Sequence, residues 1–430
     1  MKRLIFIVGS TETLEYFSLQ MAEYFLALRR EVFLWDMRKP AESITAFEDL
    51  PDKSNSVLIT FNFIGLGTEG QFKCGFSNVF DEYGIEKICI MVDSPVYYYR
   101  FLSPEMLNTK LVCIDGYHKE FVEKYYPFYG EVGFMPLGGN LPVCSLWAKP
   151  GILKEGDISY FRMGENFIPG EDVTDVDFKS AIDRSWANKG LDILFIGNYV
   201  PLESLDPSIK KLGPDYREFV MSIVDEFLIN PSLPLEHVLM DRLVKEFPDA
   251  SKDEFLEACY QLIYVDLYVR NLYRGKIVTA IADRGIKVHC TGKDWDKAPC
   301  KRPENIIHTG DSVVSIQCLE ALSRAKISLN MMPWFKDGAH DRVFSSMLFG
   351  CALVSDSSKY MDKVIEGGKD YLKYDLKAPD ETAFEVSKLV YENIIIEDKL
   401  KTIAANGLNT AFQSHTWKNR AAYIHEKFIF

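Results

Sequence analysis

The sequence predicts an α/β protein made of two Rossmann-like, doubly wound domains, each built on a parallel sheet. Three observations carry that expectation. Short apolar runs recur along the chain and alternate with helical segments. Many of those runs end on polar or glycine-rich turns, among them Asp93-Ser94-Pro95, Asp115-Gly116, Gly138-Gly139-Asn140, Gly197-Asn198 and Gly292-Lys293. Open parallel sheets line their ligand crevices with turns of this kind. The 430 residues, 47% hydrophobic and 26% charged, also suffice for two domains with full cores.

The first domain is expected over residues 1–140. Its strands are Arg3–Val8, Glu31–Trp35, Ser56–Phe61, Lys87–Val92, Lys110–Ile114 and Val132–Met135. A helix from Thr13 to Arg29 is amphipathic through Leu14, Phe17, Met21, Phe25 and Leu28. Others fall near Ser77–Tyr83 and before Tyr125, while Asp36–Asn55 reads as a polar linker with at most one helical turn. Residues 141–189, richer in Pro, Gly and charge, read as the interdomain connection.

The second domain is expected over residues 190–410, opening on Leu191–Ile196 and the Gly197-Asn198 turn. A helical insertion over about 205–270 precedes a helix at Leu272–Asp283 and a strand at Lys287–Thr291. After the helix Val313–Arg324 come the strand around Ile327–Leu329 and a polar, aromatic loop, Asn330–His340. The helix Arg342–Phe349 is closed by Gly350 as a C′ glycine, and Ala352–Asp356 returns to the sheet. Two further helical regions follow, and residues 411–430 close the chain as a last helix.

A net charge of −13 argues against a nucleic-acid polymer as partner, since phosphate backbones require a basic face, but leaves room for a small basic pocket for a nucleotide. No apolar run approaches the roughly 18 residues of a membrane span. The opening MKRLIFIVGS has too short an apolar run for a signal peptide. Nine cysteines without a C-x-x-C pair fit a reducing compartment, so a cytoplasmic protein is expected. Neither a strand-end Asp-x-Asp nor His/Cys ligand spacing is present, and no metal is expected.

Arg342 stands at a helix N-terminus that follows a strand-end loop, where backbone N–H groups and the helix dipole favour an anion. Lys293 and His308 lie after neighbouring strands and could reach phosphate or base. Asp93 and His118 are alternative groups for taking a proton from an acceptor. Gly65-x-Gly67-x-x-Gly70, with Asp93 after the next strand, formally fits a dinucleotide fingerprint and supports an NAD-dependent oxidoreductase as the alternative. Asn62 to Ile64 separate those glycines from their strand, however, and Gln71 to Gly75 open a helix poorly.

The pattern Leu329-Asn330…Arg342-x-Phe344-x-x-Met347-x-x-Gly350-x-x-Leu353-x-Ser355 resembles the donor-binding half of the spore maturation protein CgeB-like glycosyltransferases, which have the GT-B fold. The resemblance covers most of residues 190–425; in the first domain it rests on the Asp-Ser-Pro and Leu-Gly-Gly-Asn turns. It implies two domains facing a cleft, with the closing helix crossing back to the first. It also implies metal-independent, hexosyltransferase-like transfer, without a cofactor, from a nucleotide-sugar donor, a UDP-sugar by preference, to a protein or glycan acceptor. Gly197, Asn198 and Arg342 would then hold the diphosphate. Related retaining enzymes carry two acids that fall on Asp337 and Ser345; the first would touch the donor sugar, and at the second, the ribose position, serine has replaced the acid. That replacement leaves open a non-catalytic, glycosyltransferase-like binding subunit.

Overall fold

The computed structural model describes residues 2–67, 70–106, 108–141, 143–162, 178–210, 213–311 and 314–429. Two compact units emerge, Met1–Arg162 with Ser414–Phe430, and Met163–Gln413.

The first unit begins β1 (Arg3–Val8), α1 (Glu12–Ala27), β2 (Val32–Asp36), α2 (Pro40–Glu48) and β3 (Ser56–Phe61). A small hairpin, β4 (Lys73–Cys74) and β5 (Ser77–Asn78), leads into α3 (Val79–Glu82), β6 (Glu86–Met91), β7 (Thr109–Cys113), α4 (Gly116–Tyr125) and β8 (Gly133–Phe134). Strands β9 (Val143–Trp147), β10 (Gly151–Leu153) and β11 (Ser159–Arg162) follow, inside the segment read from composition as a connection. The main sheet runs β10-β2-β1-β3-β6-β7-β8. All its pairings are parallel except that of β10 on β2. Every residue of β1, β2 and β3 is buried, as strands covered on both faces require.

The linker expected at Asp36–Asn55 instead contains α2. Pro40 occupies its first turn, where a missing N–H costs nothing. Two contacts back to β2 then hold it. The Ser43 hydroxyl donates to the Asp36 carbonyl at 3.0 Å, and the Phe47 ring lies 5.4 Å from that of Trp35.

The second unit runs α5 (Phe178–Trp186), β12 (Leu191–Ile196), α6 (Leu202–Lys210), α7 (Pro214–Ile229), α8 (Leu235–Glu246), α9 (Lys252–Gln261) and α10 (Ile263–Asp283). Next come β13 (Val288–Thr291), β14 (Ile306–Gly310), α11 (Ser315–Ser323), β15 (Ala325–Leu329), α12 (Asp341–Leu348) and β16 (Ala352–Ser355). Finally α13 (Met361–Val364), β17 (Leu372–Lys373), α14 (Pro379–Asn393) and α15 (Glu397–Ser414) complete it. Its sheet, β14-β13-β12-β15-β16-β17, is parallel throughout. The order reverses between β12 and β15, which is the switch point where such sheets bind ligands.

Where the sequence suggested an insertion followed by a separate helix from Leu272, α10 is one continuous helix. Asn271 does not break it, because its amide donates to the Leu267 carbonyl within the helix (2.7 Å) and accepts from the Val200 N–H (2.9 Å).

The last helix, α16 (Trp417–Ile424), belongs to the first unit. Thr416 and Asn419 form a capping box at its start. Trp417 is fully buried, stacked on Phe17 with centroids 4.1 Å apart. Gly138 permits the approach: a Cβ there would sit 2.9 Å from the Trp417 nitrogen.

Candidate active site

The carboxyl end of β12 meets α10 and the start of α12 in a cluster of three arginines. Arg342, on the first turn of α12, donates through Nη1 to the carbonyl of Ile196, the last residue of β12. Arg274 donates through Nη1 to the Asn198 carbonyl at 2.9 Å, and its guanidinium lies 6.0 Å from the Phe195 ring centroid. One helical turn earlier, Arg270 pairs with Asp266 at 2.7 Å and covers the Trp334 ring at 5.7 Å. The Nε atoms of all three are buried without a hydrogen-bond partner. Burial, then Arg270 and Arg342, push the Arg274 pKa well below the ordinary guanidinium value. Arg342 is lowered too, by burial and by Arg270, against the pull of Asp341. Cations that depress one another in this way are set up to receive an anion.

The turn beneath the cluster is fixed by backbone packing. Gly197 (φ +149°) and Gly292 (φ +132°) approach so closely that a Cβ on Gly292 would collide with the Gly197 carbonyl. That carbonyl accepts from Trp295 Nε1 at 2.8 Å, and the Asn198 side chain accepts from the Lys293 N–H at 3.0 Å.

The other wall comes from β15, β16 and the Asn330–His340 loop. His340 Nδ1 lies 2.6 Å from Asp341 Oδ1 and 3.2 Å from the Arg342 backbone nitrogen. One nitrogen cannot donate to the first and accept from the second. The shorter, carboxylate contact assigns the proton to Nδ1 and leaves the lone pair on Nε2. Burial, helped by Arg342, lowers the His340 pKa and favours the neutral ring. Burial pushes Asp341 the other way, yet His340 and Arg342 hold it below the carboxylate range. At the end of β16, Asp356 Oδ1 accepts from the Met332 N–H at 2.9 Å, while Oδ2 is buried and unpaired. Burial raises its pKa to about 6. Asn330 donates to Ser355 Oγ at 2.9 Å and leaves its own buried Oδ1 unpaired.

Residues 274–426 match a protein family described as glycosyl transferase-like. The whole chain also superposes on sucrose-phosphate synthase from Thermosynechococcus elongatus (TM-score 0.50, 7% identity, 100% of this chain and 98% of that one). The chain carries a glycosyltransferase domain in a GT-B fold. Further solved structures similar to it are HepE of Anabaena with UDP-glucose (TM-score 0.44, 8% identity, 100% of both chains) and TarM (0.42, 11%, 90% of this chain). The chain spans 56% of the TarM chain's length. No curated protein matches the sequence.

The donor-binding residues suggested by sequence divide into two groups. Gly197, Asn198 and Arg342 are brought together at the switch point. Asp337, half-buried on the adjoining loop, has Lys363 3.9 Å away. Ser345 is buried inside α12, and its carbonyl accepts from the Phe349 N–H. The Lys293 side chain is exposed, and only its backbone joins the turn. His308 is exposed as well, its Nε2 placed to donate to the Gly292 carbonyl (3.0 Å) and to Asp311 (3.1 Å). Sequence reading missed Arg270, Arg274, Asn330, His340 and Asp356. Arg270-x-x-x-Arg274 was the available signal, two like charges on one helix face that ordinarily repel.

In the first unit Asp93 is exposed at the end of β6. His118, weighed beside it as a base, is 4% exposed on the first turn of α4, a poor position for meeting an acceptor. The Gly65–Gly70 segment does not open an α-helix; it runs into a three-residue 3₁₀ turn, and the Asn78 amide donates to the Gly65 carbonyl at 2.8 Å. Residues 68 and 69 of that fingerprint lie outside the described residues. Among the described residues, no helix is long and apolar enough to cross a membrane.

Proposed function

We propose that the second unit holds a nucleotide-diphosphate sugar, a UDP-sugar by preference, and that its glycosyl group passes to an acceptor held by the first unit. The observation that carries this reading is the group of three arginines with unpaired, buried Nε atoms at the β12/β15 switch point. When the glycosidic bond breaks, the diphosphate gains negative charge. Preorganised guanidinium groups stabilise that charge more in the transition state than in the ground state. Arg342, Arg274, Gly197 and Asn198 are assigned the diphosphate, and Asp337 the hydroxyls of the donor sugar. Asp93 is assigned the acceptor side. With cations supplied by the chain, the reaction needs neither a metal nor a cofactor. The finer placement, in the CgeB-like branch, rests on the pattern from Arg342 to Ser355. A cytoplasmic location belongs to the same reading and rests on cysteine usage.

Thermal denaturation of the full chain with UDP, other nucleotides, UDP-sugars and NAD, followed by turnover assays on whichever ligand stabilises it, tests this. UDP or a UDP-sugar at about 100 times Kd should stabilise the native state by about 2.7 kcal/mol, and sugar release or transfer should persist in EDTA. Stabilisation by NAD alone would favour the oxidoreductase. Binding without turnover would favour a non-catalytic subunit, and activity lost in EDTA but restored by magnesium or manganese would place an ion on the diphosphate.

A further inference from the structure

The carboxyl ends of β3 and β6 carry a second cluster that the arginine site does not use. Asn62 (φ +48°) and Phe63 (φ +61°) are consecutive non-glycine residues in the left-handed region. Asparagine tolerates that conformation, whereas a bulky aromatic residue there is strained. Several bonds hold the pair in place. The Asn62 N–H donates to the Ile90 carbonyl at 3.0 Å, Asn62 Oδ1 accepts from the Val92 N–H at 2.9 Å, and the Phe63 N–H points at Cys89 Sγ at 3.3 Å.

This strain sets two features side by side. Asn62 Nδ2 and the Tyr98 hydroxyl both donate to Asp93 Oδ2 at 3.1 Å, which orients an exposed carboxylate. Burial, reinforced by Asp93, raises the Tyr98 pKa, so the phenol keeps its proton and remains a donor. Asp93 Oδ1 has no protein donor among the described residues. Beside it, the buried Phe63 ring supports Phe101 in a near-parallel stack, 5.7 Å between centroids and 20° between planes. Tyr98 lies 5.8 Å from Phe63, and Phe101 is 45% exposed.

An aligned carboxylate next to an exposed aromatic face matches the two sides of a pyranose. Its C–H face packs on a ring, and its hydroxyls donate to a carboxylate. Neutral donors already share the charge of Asp93, which suits a hydroxyl better than an ammonium group. We propose that Asn62, Asp93, Tyr98 and Phe101 form a saccharide subsite, with the sugar on Phe101 and a sugar hydroxyl donating to Asp93 Oδ1. The subsite deepens the glycosyl-transfer reading and rests on it for one point only, that the saccharide held here is the acceptor.

The test is saturation-transfer NMR and calorimetric titration of the full chain with lactose, cellobiose, maltose and chitobiose, with ethanolamine as the amine control. Phe101→Ala should weaken saccharide binding by about three- to tenfold, the loss of one stacking face, and Tyr98→Phe by less. In both variants the melting shift given by UDP should be unchanged. Saccharide affinity equal to wild type in both variants, no binding of any of the four sugars, or binding of ethanolamine in their place would overturn the proposal. A wild-type chain that binds a saccharide through Phe101 but shows no UDP shift would leave the subsite standing and remove the donor reading instead.

Discussion

The two sheets end in corners of opposite electrical character. In the first unit, the turn after β1 closes on itself. The Gly9 N–H donates to the Glu15 carboxylate at 3.3 Å, and Arg38 bonds Asp36 through Nε and Glu15 through Nη2, each at 2.9 Å. The hydrogen bond to Asp36 raises the Arg38 pKa despite burial, which marks a satisfied cation. In the second unit, the corner after β12 holds Arg270, Arg274 and Arg342, and the last two are shifted the other way. Both corners have the parallel-sheet geometry that favours anion binding. The first pairs its one cation with two carboxylates of its own, whereas the second sets three guanidinium groups beside two carboxylates, Asp266 and Asp341. Topology therefore offers two corners, and the local charge balance selects one of them.

The largest expected effect tests that selection directly. Arg342→Lys keeps the charge but cannot make the forked phosphate contacts that the proposed diphosphate role calls for, so turnover should fall by something like 10- to 1000-fold, with little change in melting temperature. Near-normal steady-state turnover by this variant would remove Arg342 from the diphosphate. A smaller effect concerns the unpaired charge that the second corner tolerates in Asp356. Its pKa of about 6 in the fold lies above the ordinary 3.8, so the folded state resists ionisation. Stability should decline as pH rises from about 4 to about 6 and stay lower above that. Asp356→Asn keeps an acceptor for the Met332 N–H and should flatten the decline. At pH 7 it should gain on the order of 2 kcal/mol, and melts across that range that match wild type would contradict this. The smallest effect belongs to the first corner. The Arg38 side chain is half exposed, so Arg38→Gln should cost about 1 kcal/mol or less by denaturant titration. It should also leave UDP affinity unaltered, and a clear loss of affinity would erase the contrast between the corners.

Sequence reading reached the α/β class because parallel strands buried on both faces must be nearly continuous apolar runs, as β1 and β3 are. It reached α12 because Gly350 (φ +65°) is a stop signal with a local physical cause. What it missed depended on tertiary contacts. Helix α2 is held by Asp36 and Trp35 rather than by its own periodicity. Arg270 and Arg274 look like any solvated helix face until the fold places α10 against the Gly197-Asn198 turn. Asp356 and Asn330 are strand-end polar residues whose significance comes from burial, which the sequence does not display.

Trp417 has a consequence for synthesis. The first unit is completed by residues 414–430, stacked on Phe17 and bonded to the Gly138-Gly139 turn through the Gly139 N–H and the His415 carbonyl at 2.7 Å. The whole of Met163–Gln413 must be translated between those partners. At about 5–20 residues per second, the first unit waits roughly 12–50 s with the pocket for Trp417 unfilled. On the ribosome, then, the unit translated first is the last to be finished, and its exposed Phe17 and Phe61 faces are what a chaperone would meet during that interval.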